Sequence, residues 1–222
     1  MVKKSLGLEL NFWEYYPLIA GVDEAGRGAL AGPLVVASVI LPTNFQNSLI
    51  QDSKTLNPEQ RKIAYRMIKK KALDYKIVFK SAREVEEKNP LGSTKEAMIE
   101  AILNLKIKPD LCLVDGKEKI ETEGIKSVSV VGGDHRSINI AAASILAKVT
   151  RDNIMQKLHK KYPLYEWFSN KGYPNIVHLN AIFSYGICDL HRKTYEPIKS
   201  LLKPECDKEK LWKKYKNSFE NK

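Results

Sequence analysis

Four acidic side chains lie where short apolar runs of the sequence end. They are Asp23, Glu24, Asp115 and Asp134, and each stands at the end of a predicted strand or in the turn just after it. Open α/β sheets build their binding sites at the ends of strands, so acids in these positions can meet in one cleft. The sequence therefore predicts a cluster of catalytic carboxylates.

Such a cluster favours metal-ion chemistry. Carboxylates a few ångströms apart repel one another, and the repulsion raises a pKa unless a cation lies between them. Mg²⁺ and Mn²⁺ are cations that suit oxygen ligands. Two such ions can activate a water molecule and stabilise the leaving oxygen when a phosphodiester is cleaved. The acids thus indicate a metal-dependent nuclease.

A structural interpretation of the same acids stays open. Aspartate before glycine, as in Asp115-Gly116, is common in turns, and Asp134 can cap the helix that follows it. For each acid taken alone the structural interpretation is the better one. Their joint placement makes the two interpretations about equal.

The adjacent acids Asp23 and Glu24 set a geometric condition. Successive side chains of a strand point to opposite faces, so both can enter one cleft only where regular strand structure ends. Gly26 allows the backbone to turn just after them. We expect the chain to leave the strand here and to re-aim one of the two carboxylates.

A glycine-rich loop follows these acids. The loop contains Gly26-Arg27-Gly28 and Gly32, but it leads into Pro33 and a valine-rich strand, not into the helix of a dinucleotide-binding motif. Glycines here let backbone groups approach a ligand, and a ribose 2′-hydroxyl is the group that distinguishes RNA from DNA. Simple turn formation is the alternative.

Strands and helices alternate along the chain. Apolar runs predict five strands, at 18–22, 34–41, 75–81, 111–114 and 127–131. Helical spacing predicts a helix that begins at Asn57-Pro58, one over 93–105 and a long one from Asp134 to about Lys160. A hairpin followed by β-α-β units predicts an α/β fold with a mixed five-stranded sheet flanked by helices.

The predicted domain organisation has three parts. We expect an N-terminal segment over residues 1–17, a catalytic domain over 18–160 and a C-terminal helical region over 161–222. The last stretch, Lys203–Lys222, is lysine-rich and is expected to form a short exposed helix.

The composition is compatible with a polyanionic partner. The 222 residues carry a formal charge of +11, and 43% of them are hydrophobic, which is enough for a sizeable core. A basic protein gains affinity for nucleic acid through counterion release, although simple solubility or a general lysine bias also accounts for the charge. The cysteines include no C-x-x-C pair, so neither a zinc site nor a disulfide framework is predicted.

The sequence predicts a cytoplasmic monomer. The stretch after Met1 lacks an apolar run of signal-peptide length, and no window reaches the length of a membrane span. The sequence offers no evident apolar interface stripe. We therefore expect neither membrane association nor oligomerisation.

One further acid lies outside the predicted cluster. Asp152 follows Asp134 along the long predicted helix, and the two would be roughly 27 Å apart in a continuous helix. We assign Asp152 to a structural ion pair with Arg151 or a neighbouring lysine.

With these residues identified, the chain resembles ribonuclease HII from about Leu18 to Pro197. The motifs that carry the resemblance are Gly21–Gly28, Leu30–Pro33, Asp52–Lys54, Val114–Gly116, Gly133–Asp134, Ala142–Asp152, Lys171–Pro174 and His191–Tyr195. Ala29 departs from the proline that is frequent at this point in the family. The residues before Leu18 are too few for the additional N-terminal domain of the related HIII type.

The resemblance implies a ribonuclease H-like fold with a C-terminal helical part. It implies hydrolysis on the 5′ side of a ribonucleotide, in RNA–DNA hybrids or in DNA duplexes with embedded ribonucleotides, leaving 3′-hydroxyl and 5′-phosphate ends. Asp23, Glu24 and Asp115 would bind Mg²⁺ or Mn²⁺, and Asp134 would complete the catalytic carboxylates.

The resemblance also assigns substrate contacts. Gly26, Arg27 and Gly28 would contact the 2′-hydroxyl and its neighbouring phosphate, and Tyr173 would pack on the sugar at the RNA-to-DNA junction. Lys54 and Lys148 lie in matching segments and would contact phosphates, with surface exposure as the alternative for Lys148. His191 is interpreted as a packing or hydrogen-bonding residue, and Tyr195 as part of the core.

Two other functions are compatible with the sequence. Another ribonuclease H-like nuclease, such as a Holliday-junction resolvase or a transposase-type domain, would use a similar acidic cluster without sensing the 2′-hydroxyl. A non-catalytic hybrid-binding module would bind the duplex but show no metal-dependent cleavage.

Overall fold

The architecture is a mixed sheet with helices, seen in a computed structural model that describes residues 7–50 and 56–220. The strands are β1 (Ile19–Ala25), β2 (Leu34–Ile40), β3 (Asp74–Lys80), β4 (Leu111–Asp115) and β5 (Lys126–Val130). The α-helices are α1 (Pro58–Lys71), α2 (Ala82–Lys88), α3 (Pro90–Leu103), α4 (Ile138–Lys161), α5 (Trp167–Asn170), α6 (Ile176–Tyr185), α7 (Ile198–Leu201) and α8 (Lys208–Glu220).

The five strands form one sheet in the order β3-β2-β1-β4-β5. Strand β1 is antiparallel to β2 and parallel to β4, and β4 is parallel to β5. The three parallel strands therefore end at the same edge of the sheet. The predicted α/β fold with a mixed five-stranded sheet and flanking helices is confirmed.

The chain folds into two compact units. The first holds the sheet and comprises the residues up to Ala25 together with Val35–Phe79 and Thr94–Thr150. The second comprises Gly26–Leu34, Lys80–Ser93 and the residues from Arg151 onward. None of the helices within 7–50 and 56–220 has the length and apolar character needed to cross a membrane.

In the first unit both faces of the sheet are covered. Along β4, Leu111 and Leu113 pack with Ile140 of α4, whereas the intervening Cys112 packs with Ile102 of α3. Side chains alternate between the two faces of a strand, so the odd and even positions of β4 serve separate cores. This alternation identifies the α4 face and the α3 face of the sheet.

Helix α4 lies very close to β1, and Gly21 makes this possible. A Cβ atom at Gly21 would lie 2.0 Å from the carbonyl carbon of Asn139 and 2.3 Å from the amide nitrogen of Ile140. The Asn139 side chain accepts a 2.9 Å hydrogen bond from the Leu41 amide, which fixes the start of α4 to the residue after β2. The first turn of α4 is therefore anchored directly on the sheet.

A buried carboxylate also holds the start of α4. Glu9 is fully buried and accepts hydrogen bonds from the Ser137 hydroxyl at 2.5 Å and from the Asn139 amide at 3.0 Å. The first N–H groups of a helix have no partners within the helix, and the helix dipole favours a negative charge beside them. Glu9 thus fixes the residues that follow Asp134.

The helix α2 was not predicted, although its sequence carries a start signal. The Ser81 hydroxyl accepts from the Glu84 amide, and the Glu84 carboxylate accepts from the Ser81 amide. This reciprocal capping box has the same form as the one between Asn57 and Gln60 at the start of α1, where a helix was predicted.

The C-terminal helix α8 packs one face against the core of the second unit. Its Trp212, Tyr215 and Phe219 pack against a cluster that includes the buried Trp167 and Ile182. The prediction of an exposed helix at Lys203–Lys222 was therefore wrong for one face. Spacings of three and four residues put the three aromatic side chains on a single stripe of α8, and the lysines lie outside that stripe.

Two buried histidines lie at the centre of the same core. His191 Nδ1 accepts the Cys188 N–H at 3.0 Å, so its proton is on Nε2, which lies 3.2 Å from His178 Nε2. His178 Nε2 also accepts from Trp167 Nε1 at 3.0 Å, and His178 Nδ1 donates to the Tyr173 carbonyl oxygen at 3.1 Å. All of these hydrogen bonds can form while both imidazole rings are neutral.

Burial makes the charged form of this pair unfavourable. Desolvation lowers the pKa of His178 to about 4. Desolvation, with a smaller contribution from His178, lowers the pKa of His191 to about 3. The folded protein therefore excludes protons that the unfolded chain would bind.

We expect Gly21→Ala to destabilise the fold by at least about 3 kcal/mol, because the new methyl group overlaps the backbone of α4. Urea unfolding followed by circular dichroism measures the change. Gly92→Ala in α3 is the matched control, since its Cβ meets no atom closer than 3.6 Å. Equal stability of the two variants would contradict the close approach of α4 to β1.

We expect the histidine pair to reduce stability as the pH falls from about 7 to about 4. The ordinary pKa of 6.5 applies to the unfolded chain, so protons bind there first and favour unfolding, by up to about 1.4 kcal/mol per histidine and pH unit. The measurement compares urea-unfolding free energies of the wild type with those of a His178→Gln, His191→Gln double variant. The same pH slope in both proteins would rule out the pair as its source.

Candidate active site

Two of the predicted catalytic acids are neighbours across parallel strands. Val22 of β1 pairs with Val114 of β4, and the next residues on the two strands are Asp23 and Asp115. Both acids continue the odd-numbered positions that face α4, as Leu113 does. The sheet therefore brings these two carboxylates together on one face at the edge where the parallel strands end.

Asp23 is held in a buried, hydrogen-bonded position. Its side chain is 6% exposed, and its Oδ1 accepts the Glu24 N–H at 2.7 Å. Burial raises the pKa of Asp23 well above its usual range, and the charges of Glu24 and Asp115 raise it further. A hydrogen bond with the Ser144 side chain of α4 and the Glu24 amide act in the opposite direction.

A turn after β5 holds Asp115 and positions Asp134. Gly132 adopts φ +62, a left-handed conformation that glycine reaches without strain. The Gly133 N–H then donates to Asp115 Oδ1 at 2.7 Å. Asp134 follows in a single 3₁₀ turn and is 4% exposed. The residue that binds Asp115 thus immediately precedes the fourth predicted acid.

Glu24 differs from the arrangement expected for it. Strand β1 does not end at Asp23-Glu24, because its pairing with β2 continues through Ala25 opposite Val35. Regular alternation therefore puts Glu24 on the α3 face, opposite to Asp23, and its side chain is half-buried. Its charge nevertheless raises the pKa of Asp23. The role of Glu24 as a metal ligand stays a prediction.

The chemistry of this group of acids fits a hard divalent cation. Asp23, Glu24 and Asp115 offer only carboxylate oxygens and repel one another electrostatically, a condition that a cation relieves. In the ranges 7–50 and 56–220, no three carboxylate, imidazole or thiolate side chains are gathered as a complete metal site. The backbone thus brings the acids near one another, and their side chains do not form a closed ligand set.

In the second unit the glycine loop is tied to Tyr173. The Gly26 N–H donates to the Tyr173 hydroxyl at 3.0 Å, and the Leu30 N–H donates to the Gly172 carbonyl oxygen at 2.8 Å. Gly26 has φ +94, so the turn at this position favours glycine. These hydrogen bonds therefore connect Tyr173, which was predicted to contact the substrate, with the glycine loop.

A buried arginine braces the same loop. Arg151 is 1% exposed and donates to the carbonyl oxygens of Pro33 at 2.8 Å, Lys171 at 2.8 Å and Ala31 at 3.0 Å. Its guanidinium lies 4.9 Å from the centre of the Tyr173 ring. The sequence suggested only an ion pair with Asp152. The main partners of Arg151 are backbone carbonyl oxygens. Every residue carries such an acceptor, so the residue types of the sequence gave no signal for these contacts.

The remaining predicted contacts fall in different places. Arg27 and Gly28 are exposed, whereas Gly26 is buried. Lys148 is half-buried on α4. Lys54, with Asp52 and Ser53, lies outside the described residues. Ser144 and Gly133, which hold the acids, were not singled out, although both lie within motifs of the resemblance.

Comparisons with known proteins agree with this architecture. The model of the ribonuclease HII family matches residues 20–197. Ribonuclease HII of Mycoplasma mycoides subsp. mycoides is 48% identical over 201 residues, which cover 90% of this chain and 97% of that protein.

Solved structures share the fold. Ribonuclease H2 of Pyrococcus horikoshii matches with a TM-score of 0.72 and 27% identity, over 90% of this chain and 99% of that one. Bst-RNase HIII, solved in complex with Mn²⁺, matches with a TM-score of 0.60 and 18% identity, over 92% of this chain and 71% of that one, and this likeness concerns the fold alone. The extent of these matches and of the family model establishes that the chain belongs to the ribonuclease HII family, whose members are metal-dependent ribonucleases that act on the RNA of hybrids.

Proposed function

We propose that this chain hydrolyses the RNA strand of RNA–DNA hybrids and cuts DNA duplexes on the 5′ side of embedded ribonucleotides. The products would carry 3′-hydroxyl and 5′-phosphate ends. The proposal rests chiefly on the meeting of Asp23 and Asp115 at the edge of the sheet, where burial and mutual repulsion call for a cation. Family membership supports the substrate class.

We assign the metal ligands to Asp23, Glu24 and Asp115, with Asp134 as the fourth catalytic carboxylate. Two Mg²⁺ or Mn²⁺ ions bound there would supply an activated water and a stabilised leaving oxygen. The chain itself orients the acids: the Gly133 N–H holds one oxygen of Asp115, and the Glu24 N–H holds one oxygen of Asp23. Both side chains would offer carboxylate oxygens to the cations.

Recognition of the ribonucleotide is assigned to the second unit. Gly26, Arg27 and Gly28 would contact the 2′-hydroxyl and the adjacent phosphate, and Tyr173 would pack on the sugar at the junction. The hydrogen bond between Gly26 and Tyr173 supports a common task for the loop and the ring. We assign phosphate contacts to Lys148 and Lys54, and on sequence grounds we propose a cytoplasmic monomer.

The decisive assay compares two duplexes that differ by a single 2′-hydroxyl. We expect cleavage next to the embedded ribonucleotide only, and only when Mg²⁺ or Mn²⁺ is present. Asp115→Asn should lower kcat by at least about 100-fold, because the amide keeps the oxygen that accepts from Gly133 but loses the negative charge. Duplex affinity should be unchanged or higher.

The control for this variant is Asp110→Asn. Asp110 precedes the same strand β4 at its opposite end, where it accepts the Leu18 N–H, so the chemical change is identical but lies away from the acidic edge. Normal cutting by Asp115→Asn would refute the assignment. Equal cutting of the all-DNA duplex would favour a resolvase-type nuclease, and tight binding without cleavage would favour a hybrid-binding module.

Tyr173→Ala should weaken cutting at single ribonucleotides about tenfold more than cutting of long hybrids. Only the single site depends on one junction sugar, and a tenfold change in rate corresponds to about 1.4 kcal/mol. Tyr173→Phe is the matched control, since it keeps the ring and loses the hydroxyl that accepts from Gly26. The ratio of kcat/KM values on the two substrates is the readout. Equal losses on both would count against the junction role.

A further inference from the structure

The segment His191–Tyr195 is a motif of the sequence to which the proposed function gives no task. In the second unit it runs beside the glycine loop. The Arg192 N–H donates to the Leu30 carbonyl oxygen at 2.8 Å, and the Gly32 N–H donates to the Leu190 carbonyl oxygen at 2.9 Å. Ala31 and His191 form an antiparallel β-bridge. The motif is therefore joined to the loop by its backbone.

The Arg192 side chain reaches both ends of the loop. It is fully buried, and its Nη1 and Nη2 donate to the carbonyl oxygens of Arg27 at 2.8 Å and Gly32 at 3.0 Å. A planar guanidinium offers several donors at fixed angles, whereas an ammonium group acts as a single point charge. One side chain thus sets the separation of two loop carbonyls.

Tyr195 provides a second hydrogen-bond donor to the Arg27 carbonyl oxygen. Its hydroxyl donates to the Arg27 carbonyl oxygen at 2.7 Å and accepts from Arg192 Nη1 at 3.1 Å. The guanidinium also lies 5.1 Å from the centre of the Tyr195 ring. The Arg27 carbonyl therefore receives two donors, one of them charged, and its direction is fixed.

A fixed carbonyl also fixes the N–H of the next residue. The Arg27–Gly28 peptide is trans, so the Gly28 N–H points opposite to the Arg27 carbonyl and away from the buried pair. Gly28 is exposed, and a Cβ atom on it would meet nothing within 4 Å, so there is open space beside this residue. Hydrogen bonds to a carbonyl polarise the peptide and strengthen its N–H as a donor.

We propose that Arg192 and Tyr195 are positioning residues for ribonucleotide recognition, which hold the Arg27–Gly28 peptide so that the Gly28 N–H is presented to the ribose 2′-oxygen. The inference rests on the proposed function of the loop. It assigns to the motif His191–Tyr195 a part in discrimination between ribose and deoxyribose. Neither side chain needs to touch the substrate.

The test measures binding in an Asp115→Asn background, so that cleavage does not interfere. Kd values are determined for two duplexes that differ by one 2′-hydroxyl. Tyr195→Phe removes one donor to Arg27 and keeps the ring beside Arg192. We expect the preference for the ribonucleotide duplex to fall about fivefold, as for one lost hydrogen bond, with unchanged affinity for the all-DNA duplex.

Two further variants separate positioning from general stability. Tyr165→Phe is the matched control, because its hydroxyl donates to the Gly186 carbonyl oxygen in the same unit and not to the loop. It should leave the preference unchanged. Arg192→Lys should reduce the preference by about tenfold or more, since an ammonium group cannot replace the two directed bonds to Arg27 and Gly32. Thermal unfolding of each variant is recorded alongside.

The outcomes distinguish this inference from the proposed function. An unchanged preference in Tyr195→Phe overturns the positioning role, as does an equal loss of affinity for both duplexes. A protein with an intact Tyr195 that shows no preference for the ribonucleotide overturns the proposed function itself, and the inference with it. A selective loss in Tyr195→Phe and Arg192→Lys, but not in Tyr165→Phe, supports both.

Discussion

Repulsion between carboxylates at one edge of the sheet is the constraint on which the first unit depends. Asp23 is buried, and its pKa is raised first by desolvation and then by Glu24 and Asp115. A fold selected for stability alone would avoid this arrangement, because like charges in a poorly solvated place oppose folding. The arrangement is reasonable if a cation is a normal component of the site. The close approach of α4 at Gly21 then has a purpose, since α4 carries the Ser144 hydroxyl to Asp23.

The second unit contains buried positive charges, whereas the first unit contains acidic groups that repel one another. Arg151 and Arg192 are buried cations, and both donate to carbonyl oxygens of the glycine loop. Arg151 also donates to the carbonyl oxygen of Lys171. Carbonyl dipoles stabilise a guanidinium without neutralising it, so a loop gripped in this way keeps a positive field. Such a field suits a neighbouring phosphate. The same two side chains therefore brace the loop and, under the proposed function, would also favour a phosphate beside it.

The sequence predicted the parts of the fold that local signals control. Continuous apolar runs gave β2 and β4 almost to the residue, and the Asn57-Pro58 start gave α1. The helix at Ala82–Lys88 was missed because it is short, although Ser81 and Glu84 have the spacing of a capping box. The C-terminal helix was taken as exposed because lysines dominate its composition. Its three aromatic residues carry the opposite signal, which only their spacing reveals.

In the candidate site, too, local signals predicted some features and could not predict others. Asp23, Asp115 and Asp134 were predicted because acids that follow several apolar runs can share one cleft, and parallel pairing brings the first two together. The end of β1 could not be predicted. Strand β1 continues to Ala25 because Ala25 pairs with Val35 of β2, and this pairing leaves no local signal at Glu24. Arg192 and Tyr195 were least accessible to sequence reasoning. Their partner is the Arg27 carbonyl, more than 160 residues away, and a backbone acceptor has no residue type by which it can be recognised. Residue types therefore reveal where chemistry can occur, whereas the groups that orient it become visible only when the chain has folded.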